Sequence, residues 1–236
     1  MDVRVLDDPA SPCAEILAEA ARAGNNIALT GGSTPRRAYE LAAGLDADWS
    51  GARLWWGDER CVPADDELSN YRMAREALIE QLPPAGEGGP EVHRIPAERG
   101  PHVGAEDYEE DLRTTLGEQI PRLDLVLLGL GPDAHVASLY PGQHTLEVRD
   151  RAAVGVEEAG WKPYVPRVSL TLPVLNAARR VVFLVAGEDK ADAVGRAFGS
   201  GAEPSHDAPA SLVRPSDGEL TLLLDEAAAS RLQVRG

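Results

Sequence analysis

The sequence has little cysteine, little lysine and no long apolar run, and each scarcity excludes a class of protein. Its two cysteines, Cys13 and Cys61, form no CxxC pair, so we expect neither a disulfide framework nor a thiolate metal site. The longest apolar stretches, residues 123–130 and 181–186, are too short to span a bilayer. The first ten residues show no basic segment followed by an apolar one, so no secretory signal is expected. Together these features predict a cytoplasmic protein without a membrane anchor.

Basic residues are also scarce, because 23 Lys and Arg stand against 39 Asp and Glu for a formal net charge of -16. All the basic residues are arginine except Lys162 and Lys190. Nucleic acids and anionic membranes are bound by basic patches, so neither is expected as a partner. An anionic small molecule would need a local cluster of positive side chains that opposes the overall charge.

Short apolar strand-like runs alternate with alanine-rich helical stretches along all 236 residues. The predicted strands are 3–6, 26–30, 53–56, 91–95, 123–129, 181–186 and 220–224. The predicted helices are 9–23, 35–43, 68–82, 104–120, 189–198 and one from Asp225 onward. This alternation predicts a single α/β domain over 1–236, with an open, mainly parallel, Rossmann-like sheet and helices on both faces. Residues 141–172 fit this alternation less well and suggest loops with a short antiparallel pair of strands. Whether the Pro- and Gly-rich region 83–103 closes over a site stays open.

Ligands of such sheets bind beyond the carboxyl ends of the strands, and four motifs fall at that edge. The first, TGGSTP at 30–35, places two glycines between a strand and a helix. We expect Thr34 to cap that helix and Pro35 to lie in its first turn. The free N–H groups, the hydroxyls and the positive end of the helix dipole could then bind a phosphate. A plain tight turn is the alternative. The motif is neither a Walker A loop nor GxGxxG, so no nucleotide cofactor is indicated.

The second motif, GDER at 57–60, follows the strand RLWW and offers the planar fork of Arg60 to a phosphate or hydroxyl group. A charged solvated loop is the alternative. The third motif, GLGPDAH at 129–135, puts His135 in a glycine-rich turn, where an imidazole suits general-base work and Asp133 can orient the ring. A histidine that only bonds the loop backbone is the alternative. The remaining histidines show no zinc-ligand spacing, so no metal is expected.

The fourth motif, GEDK at 187–190, places Lys190 at the start of a helix. A lysine there opposes the helix dipole unless an anion lies nearby, which makes this residue a candidate anion ligand. No GxSxG elbow occurs in the chain, which argues against an ordinary α/β-hydrolase esterase.

The ordered combination of these segments resembles the 6-phosphogluconolactonase family, of the glucosamine-6-phosphate isomerase-like fold. The segments that carry the resemblance are ALTGGSTP (28–35), WWGDERCVP (55–63), DLVLLGLGPDAHVASLYPG (124–142), RVSLTLPVLNAARRVVFLVAGEDKADAV (167–194) and LTLLLDEAAA (220–229). The resemblance implies a cofactor-free hydrolase of the pentose phosphate route, acting on a phosphorylated sugar lactone as a monomer or small homo-oligomer.

The resemblance also implies roles for individual residues. The phosphate site would be lined by Gly31, Gly32, Ser33 and Thr34. Positive charge would come from Arg60, Arg167 and Lys190. His135 would activate water for attack on the lactone carbonyl, with Asp58 or Asp133 in support. The oxyanion donors remain open between the N–H groups of 129–131 and Arg60.

One departure from the family pattern concerns the loop around His135, where Asp-Gly-His-Thr is usual and Ala134 and Val136 replace the Gly and Thr. If the glycine position requires a positive φ, Ala134 adds strain on the order of 1 kcal/mol. Two rivals remain. An amino-sugar-phosphate deaminase of the same fold would need an acidic residue after the histidine, which SLYP at 138–141 does not offer. A non-catalytic sugar-phosphate-binding regulator would keep the phosphate loop without a working base.

Overall fold

The structure is a computed structural model that describes residues 1–232, and its centre is a seven-stranded parallel sheet. The strands of the two sheets are β1 (Asp2–Val5), β2 (Asn26–Leu29), β3 (Arg53–Trp56), β4 (Asp58–Arg60), β5 (Glu91–Val92), β6 (Leu125–Leu128), β7 (Ala153–Val156), β8 (Arg167–Leu170), β9 (Arg180–Val185) and β10 (Glu219–Leu224). The large sheet has the order β1-β10-β9-β6-β2-β3-β5, and all its pairs are parallel. The prediction of an open parallel α/β sheet is confirmed.

Helices cover this sheet and supply the rest of the core. They are α1 (Ala10–Arg22), α2 (Ser33–Ala43), α3 (Asn70–Ala77), α4 (Pro101–Leu116), α5 (Leu172–Ala177), α6 (Ala191–Phe198) and α7 (Glu226–Ala229). Central strand β6 is buried along its whole length, as a strand covered on both faces must be. Among residues 1–232, no helix combines the length and apolar character needed to cross a membrane.

The predicted helix boundaries differ from the observed ones where local capping decides them. Ser69 caps α3, because its hydroxyl accepts a hydrogen bond from the backbone N–H of Arg72, so this helix starts later than predicted. Helix α4 ends at Gly117, whose φ of +78° is left-handed. The prediction that Thr34 caps α2 is wrong, because this helix already begins at Ser33 and Gly32 occupies the cap position. The predicted helix after Asp225 is α7, and residues 233–236 of that prediction lie outside the described chain.

A second, antiparallel sheet of order β4-β8-β7 was only partly predicted. The antiparallel pair expected within 141–172 is confirmed as β7 and β8. Strand β4, however, was not predicted, because its sequence Asp-Glu-Arg has no apolar pattern. It forms a strand through tertiary pairing with β8, where Asp58 lies opposite Ser169 and Arg60 opposite Arg167. The small sheet therefore brings the second motif against a segment far along the chain.

Candidate active site

A cavity of about 410 Å³ opens at the carboxyl ends of β2, β3, β6 and β9, where all four motifs meet. This volume suits a small organic ligand such as a sugar phosphate. Its lining includes every predicted binding residue, namely Gly31, Gly32, Ser33, Thr34, Arg60, Arg167 and Lys190. His135 and Asp58 also line it, whereas Asp133 lies behind His135. The imidazole and the glycine turn thus face one space.

The glycine turn has a shape that only glycine permits at two adjacent positions. A Cβ atom on Gly31 would lie 1.9 Å from Oδ1 of Asn70, and Gly32 has a left-handed φ of +114°. The hydroxyl of Tyr39 in α2 accepts from the N–H of Thr30 and donates to the carbonyl of the same residue. This pair of bonds pins the turn to the helix. The first turn of α2, with the hydroxyls of Ser33 and Thr34, therefore faces the cavity, and we call this turn the anion cradle because a helix N-terminus of this kind can hold an anion.

His135 is held by Asp133, whose Oδ1 lies 2.5 Å from Nδ1 of the imidazole and also accepts from the His135 backbone N–H. Gly131 makes this pair possible, because a Cβ there would lie 2.0 Å from Nδ1. Burial alone would raise the pKa of Asp133, but its bonds to His135 outweigh burial and hold that pKa below its ordinary value. With Nδ1 engaged by a carboxylate, Nε2 is the ring nitrogen available for proton transfer.

Asp58, which the sequence left open as a partner of His135, makes no hydrogen bond to the imidazole. Its carboxylate accepts from the hydroxyl of Ser138 at 2.7 Å and from the amide of Asn70 at 3.3 Å, and it lies 3.9 Å from Nη1 of Arg167. Asp58 is only 5% exposed, so its role here is to anchor these groups around the cavity. Of the two alternatives, the geometry favours Asp133.

Next to Asp58, the neighbouring carboxylate of Glu59 organises the start of α3. It accepts from the backbone N–H groups of Arg60, Asn70 and Tyr71 and from the hydroxyl of Ser69. Burial raises the pKa of Glu59, and the three backbone bonds oppose that shift. Glu59 therefore caps a helix whose first residue, Asn70, is itself part of the cavity wall.

Arg167 is a buried guanidinium with unused hydrogen-bonding capacity. Its Nη2 donates to the carbonyl oxygens of Trp161 at 3.4 Å and Pro163 at 2.8 Å. Its Nε atom is buried without a hydrogen-bond partner among residues 1–232, and the same holds for Nε of Arg60. Burial lowers the pKa of Arg167, Asp58 raises it, and Arg60 lowers it further. Arg60 is half-buried and donates from Nη1 to the carbonyl of Leu68, so each guanidinium keeps a buried Nε–H group that an anion in the cavity could accept from.

Asn70, Trp161 and Lys162 also line the cavity, although they lie outside the four motifs. The last two belong to the loop of residues 157–166 between β7 and β8, whereas no residue of 83–103 lines the cavity. Lys162 and Lys190, the only lysines in the sequence, both line the cavity. Four basic side chains and two carboxylates, Asp58 and Asp189, now line the cavity, so its formal charge is positive although the chain is acidic.

The turn that carries His135 has two non-glycine residues in the left-handed region, Ala134 with φ +68° and Ala137 with φ +49°. Position 134 thus requires a positive φ, and its methyl group is fully buried. The turn nevertheless closes, because Gly131 donates to the carbonyl of His135 and accepts from the N–H of Ala134. The N–H of Gly131 is thereby engaged within the turn, which removes it from the oxyanion donors considered above.

We expect Ala134→Gly to leave the free energy of unfolding within about 0.5 kcal/mol of wild type. Relief of backbone strain, on the order of 1 kcal/mol, offsets the loss of a buried methyl worth about 0.8 kcal/mol. Ala18→Gly, which also removes a fully buried methyl but lies inside α1, should cost about 1 kcal/mol or more. Urea denaturation measures both. An equal loss in the two variants would mean that Ala134 is unstrained.

Within residues 1–232, no group of three His, Cys, Asp or Glu side chains is arranged to hold a metal ion. The cavity offers cations, hydroxyl groups, an amide and an imidazole–carboxylate pair. This arrangement can bind a phosphorylated polar ligand and move a proton at His135.

The chain is similar to known proteins along most of its length. Residues 4–222 match the family model described as glucosamine-6-phosphate isomerases/6-phosphogluconolactonase. A curated protein from Nostoc sp. named 6-phosphogluconolactonase is 40% identical over 212 residues, which cover 88% of this chain and 85% of that protein. The solved structure of 6-phosphogluconolactonase from Trypanosoma cruzi is 29% identical, with a TM-score of 0.84 and coverage of 99% of this chain and 97% of that one.

A monomeric glucosamine-6-phosphate deaminase shares the fold, with a TM-score of 0.78 at 20% identity over 98% of this chain and 100% of the other. At 20% identity this likeness shows a shared fold and does not indicate a shared activity. The family match begins within β1, ends within β10 and includes every motif of the cavity. The chain therefore belongs to the glucosamine-6-phosphate isomerase/6-phosphogluconolactonase family of enzymes.

Proposed function

We propose that the protein hydrolyses 6-phospho-D-glucono-1,5-lactone to 6-phosphogluconate, the step of the oxidative pentose phosphate pathway for which its curated relatives are named. The observation that carries this proposal is the single cavity in which an Asp133-held imidazole faces an anion cradle and four cations. The phosphate binds at the first turn of α2, with Lys190 nearby. With the phosphate in this position, the lactone ring of the substrate lies next to His135.

In the proposed reaction, Nε2 of His135 takes a proton from a water molecule while the water oxygen bonds to the lactone carbonyl carbon. Asp133 fixes the ring through Nδ1 and stabilises the imidazolium that forms. The tetrahedral intermediate then collapses: the bond from carbon 1 to the ring oxygen breaks, and the imidazolium returns its proton to that oxygen. The product is an open-chain acid that ionises. Arg60 and Arg167 are the cavity cations that can stabilise the negative charge of the intermediate.

The direct test uses purified protein with freshly made 6-phosphoglucono-1,5-lactone and follows acid release against a blank without protein, because the lactone also opens spontaneously. We expect hydrolysis well above the blank, and much slower turnover of unphosphorylated glucono-1,5-lactone, which cannot use the anion cradle. Decay equal to the blank would overturn the proposal and favour a non-catalytic sugar-phosphate-binding protein.

The rival deaminase activity is tested by ammonia release from glucosamine 6-phosphate. We expect none. No carboxylate follows His135 in residues 136–140, and the hydroxyl of Ser138 is already bonded to Asp58. Release of ammonia in that assay would reverse the choice between the two enzymes.

Asp189 is expected to lower the affinity of the cavity for phosphate. Its carboxylate lines the cavity and lies 3.2 Å from Nζ of Lys190, so it partly neutralises one of the binding cations. The pair is partly exposed, so we expect Asp189→Asn to lower the Kd for inorganic phosphate about two- to fivefold. Asp192→Asn makes the same charge change outside the cavity, where Asp192 pairs with Arg231. Isothermal titration calorimetry compares the two, and equal affinities would show that Asp189 does not act on the bound anion.

A further inference from the structure

Tyr140 lies against the imidazole of His135 but is not part of the cavity lining. The two ring centroids are 4.7 Å apart, and the ring planes are inclined by 44°. Tyr140 is 1% exposed, so its ring is fixed by packing. Besides its hydrogen bond to Asp133, the imidazole therefore has this aromatic ring as a packed neighbour. A hydrogen bond at one nitrogen leaves the ring free to tilt about that bond, whereas a packed neighbouring ring limits the tilt.

The same tyrosine also contacts the 157–166 loop. Its side chain forms a small buried cluster with Val156 and Ala159. A Cβ atom placed on Gly160 would lie 2.8 Å from Cδ1 and 2.9 Å from Cγ of Tyr140, so the loop backbone rests directly on this ring. The next residues along the loop, Trp161 and Lys162, line the cavity. Tyr140 is therefore packed between the loop that borders the ligand and the imidazole that faces it.

The hydroxyl of Tyr140 is buried beside Ser138 but makes no hydrogen bond of normal geometry within residues 1–232. Burial raises the pKa of Tyr140, so the phenol is neutral near pH 7 and does not accept a proton from water. The contacts to His135 and Gly160 are made by the ring. A phenylalanine can reproduce them.

We infer that Tyr140 is a positioning residue, whose ring sets the orientation of His135 and links it to the 157–166 loop. The inference rests on the lactone hydrolysis proposed above. When Trp161 and Lys162 contact a bound substrate, the loop presses the Tyr140 ring against the imidazole and holds Nε2 toward the reacting carbon. Substrate contacts at the rim and proton transfer at the base are then coupled through one aromatic ring.

The first test compares Tyr140→Phe with Tyr140→Leu. Phenylalanine keeps the ring, so kcat should stay within about twofold of wild type and the melting temperature should not fall. Leucine removes the flat surface, so kcat should fall on the order of tenfold or more with KM within about threefold, because misorientation of a catalytic group lowers turnover more than binding. Phe198→Leu is the matched control, since this ring packs on Phe183 in a different part of the core.

The second test changes Gly160, the loop residue that packs against the Tyr140 ring. Gly160→Ala places a methyl group against Tyr140 without adding an atom to the cavity lining, and Gly160 is not in the left-handed region that would disfavour alanine. We expect kcat to fall severalfold with the phosphate Kd unchanged. In Tyr140→Leu, whose smaller side chain can make room for the methyl, Gly160→Ala should have a weaker effect than in wild type, which a double-mutant cycle measures.

A readout independent of activity is the ¹⁵N shifts of the His135 ring nitrogens, which report the tautomer that Asp133 selects. Tyr140→Leu should change them, whereas Tyr140→Phe and Phe198→Leu should not. Unchanged shifts together with unchanged kcat in folded Tyr140→Leu would overturn the inference. If wild-type protein lacks lactonase activity, the proposed function fails, and the ¹⁵N shifts alone then decide whether Tyr140 orients the imidazole.

Discussion

Replacing His135 by alanine should lower kcat for the lactone by a factor on the order of 10² to 10⁴, which is the usual contribution of a positioned general base. The Kd for inorganic phosphate should stay within about threefold, because the anion cradle and the basic side chains belong to other segments. Stopped assays, corrected for spontaneous opening, give kcat, and calorimetry gives the Kd. His144→Ala is the control, since His144 is exposed and does not line the cavity.

The result separates the candidate functions. A parallel fall in turnover and in phosphate binding would mean that His135 supports the structure of the site and does not transfer a proton. Unchanged turnover would remove the imidazole from the mechanism altogether. Asp133→Asn should give an intermediate loss, because an amide can still contact Nδ1 but does not stabilise an imidazolium.

The depressed pKa of Asp133 fixes the pH range in which the imidazole is held. A carboxyl group whose folded pKa lies below its unfolded value of about 4 stabilises the fold above that value. The stabilisation is lost only as the pH falls through the lower, folded value. The pair of Asp133 and His135 is therefore intact across the neutral range, and activity near pH 7 should not be limited by protonation of Asp133.

The second large effect is expected at Arg167, where Arg167→Met should raise KM for the lactone on the order of 10- to 100-fold. Hydrogen bonds to charged groups contribute about 1.5–3 kcal/mol each, and methionine keeps most of the buried volume without any donor. Stability should also fall by about 1–3 kcal/mol, because the buried carboxylate of Asp58 loses its nearest cation and two loop carbonyls lose a donor. Steady-state kinetics and urea denaturation measure the two effects.

Two further variants sharpen that experiment. Arg167→Lys should recover part of the affinity, since it restores the charge but not the planar fork. Arg149→Met removes another arginine that donates to backbone carbonyls, at Leu146 and Val148, but it is exposed and outside the cavity, so KM should not change. If Arg167→Met loses stability while KM stays at the wild-type value, Arg167 holds the 157–166 loop and does not bind substrate.

The sequence predicted the fold and the convergence of the four motifs because both follow from local patterns. Apolar runs that end in glycine-rich turns mark strand ends, and the carboxyl ends of parallel strands share one edge. Strand β4 escaped prediction since its three residues, Asp58, Glu59 and Arg60, carry no apolar alternation, and its pairing with β8 is decided by tertiary contacts. The choice between Asp58 and Asp133 as partner of His135 likewise depended on side-chain positions.

The 157–166 loop shows a different limit of prediction from sequence. Its residues have no helical or strand periodicity, so nothing in their order placed Trp161 and Lys162 at the cavity. The loop owes its position to a guanidinium that belongs to the following strand and to an aromatic ring that follows His135, at Tyr140.

The register of β4 against β8 has a mechanical consequence. Arg60 and Arg167 lie directly opposite each other on this antiparallel pair, an arrangement in which like charges repel. The negative charge that develops on the lactone in the proposed reaction lies near both guanidinium groups and would reduce this repulsion. Ligand binding should therefore stabilise the pairing of β4 with β8. Strand pairing and substrate affinity are then thermodynamically coupled, so a change that weakens one should weaken the other.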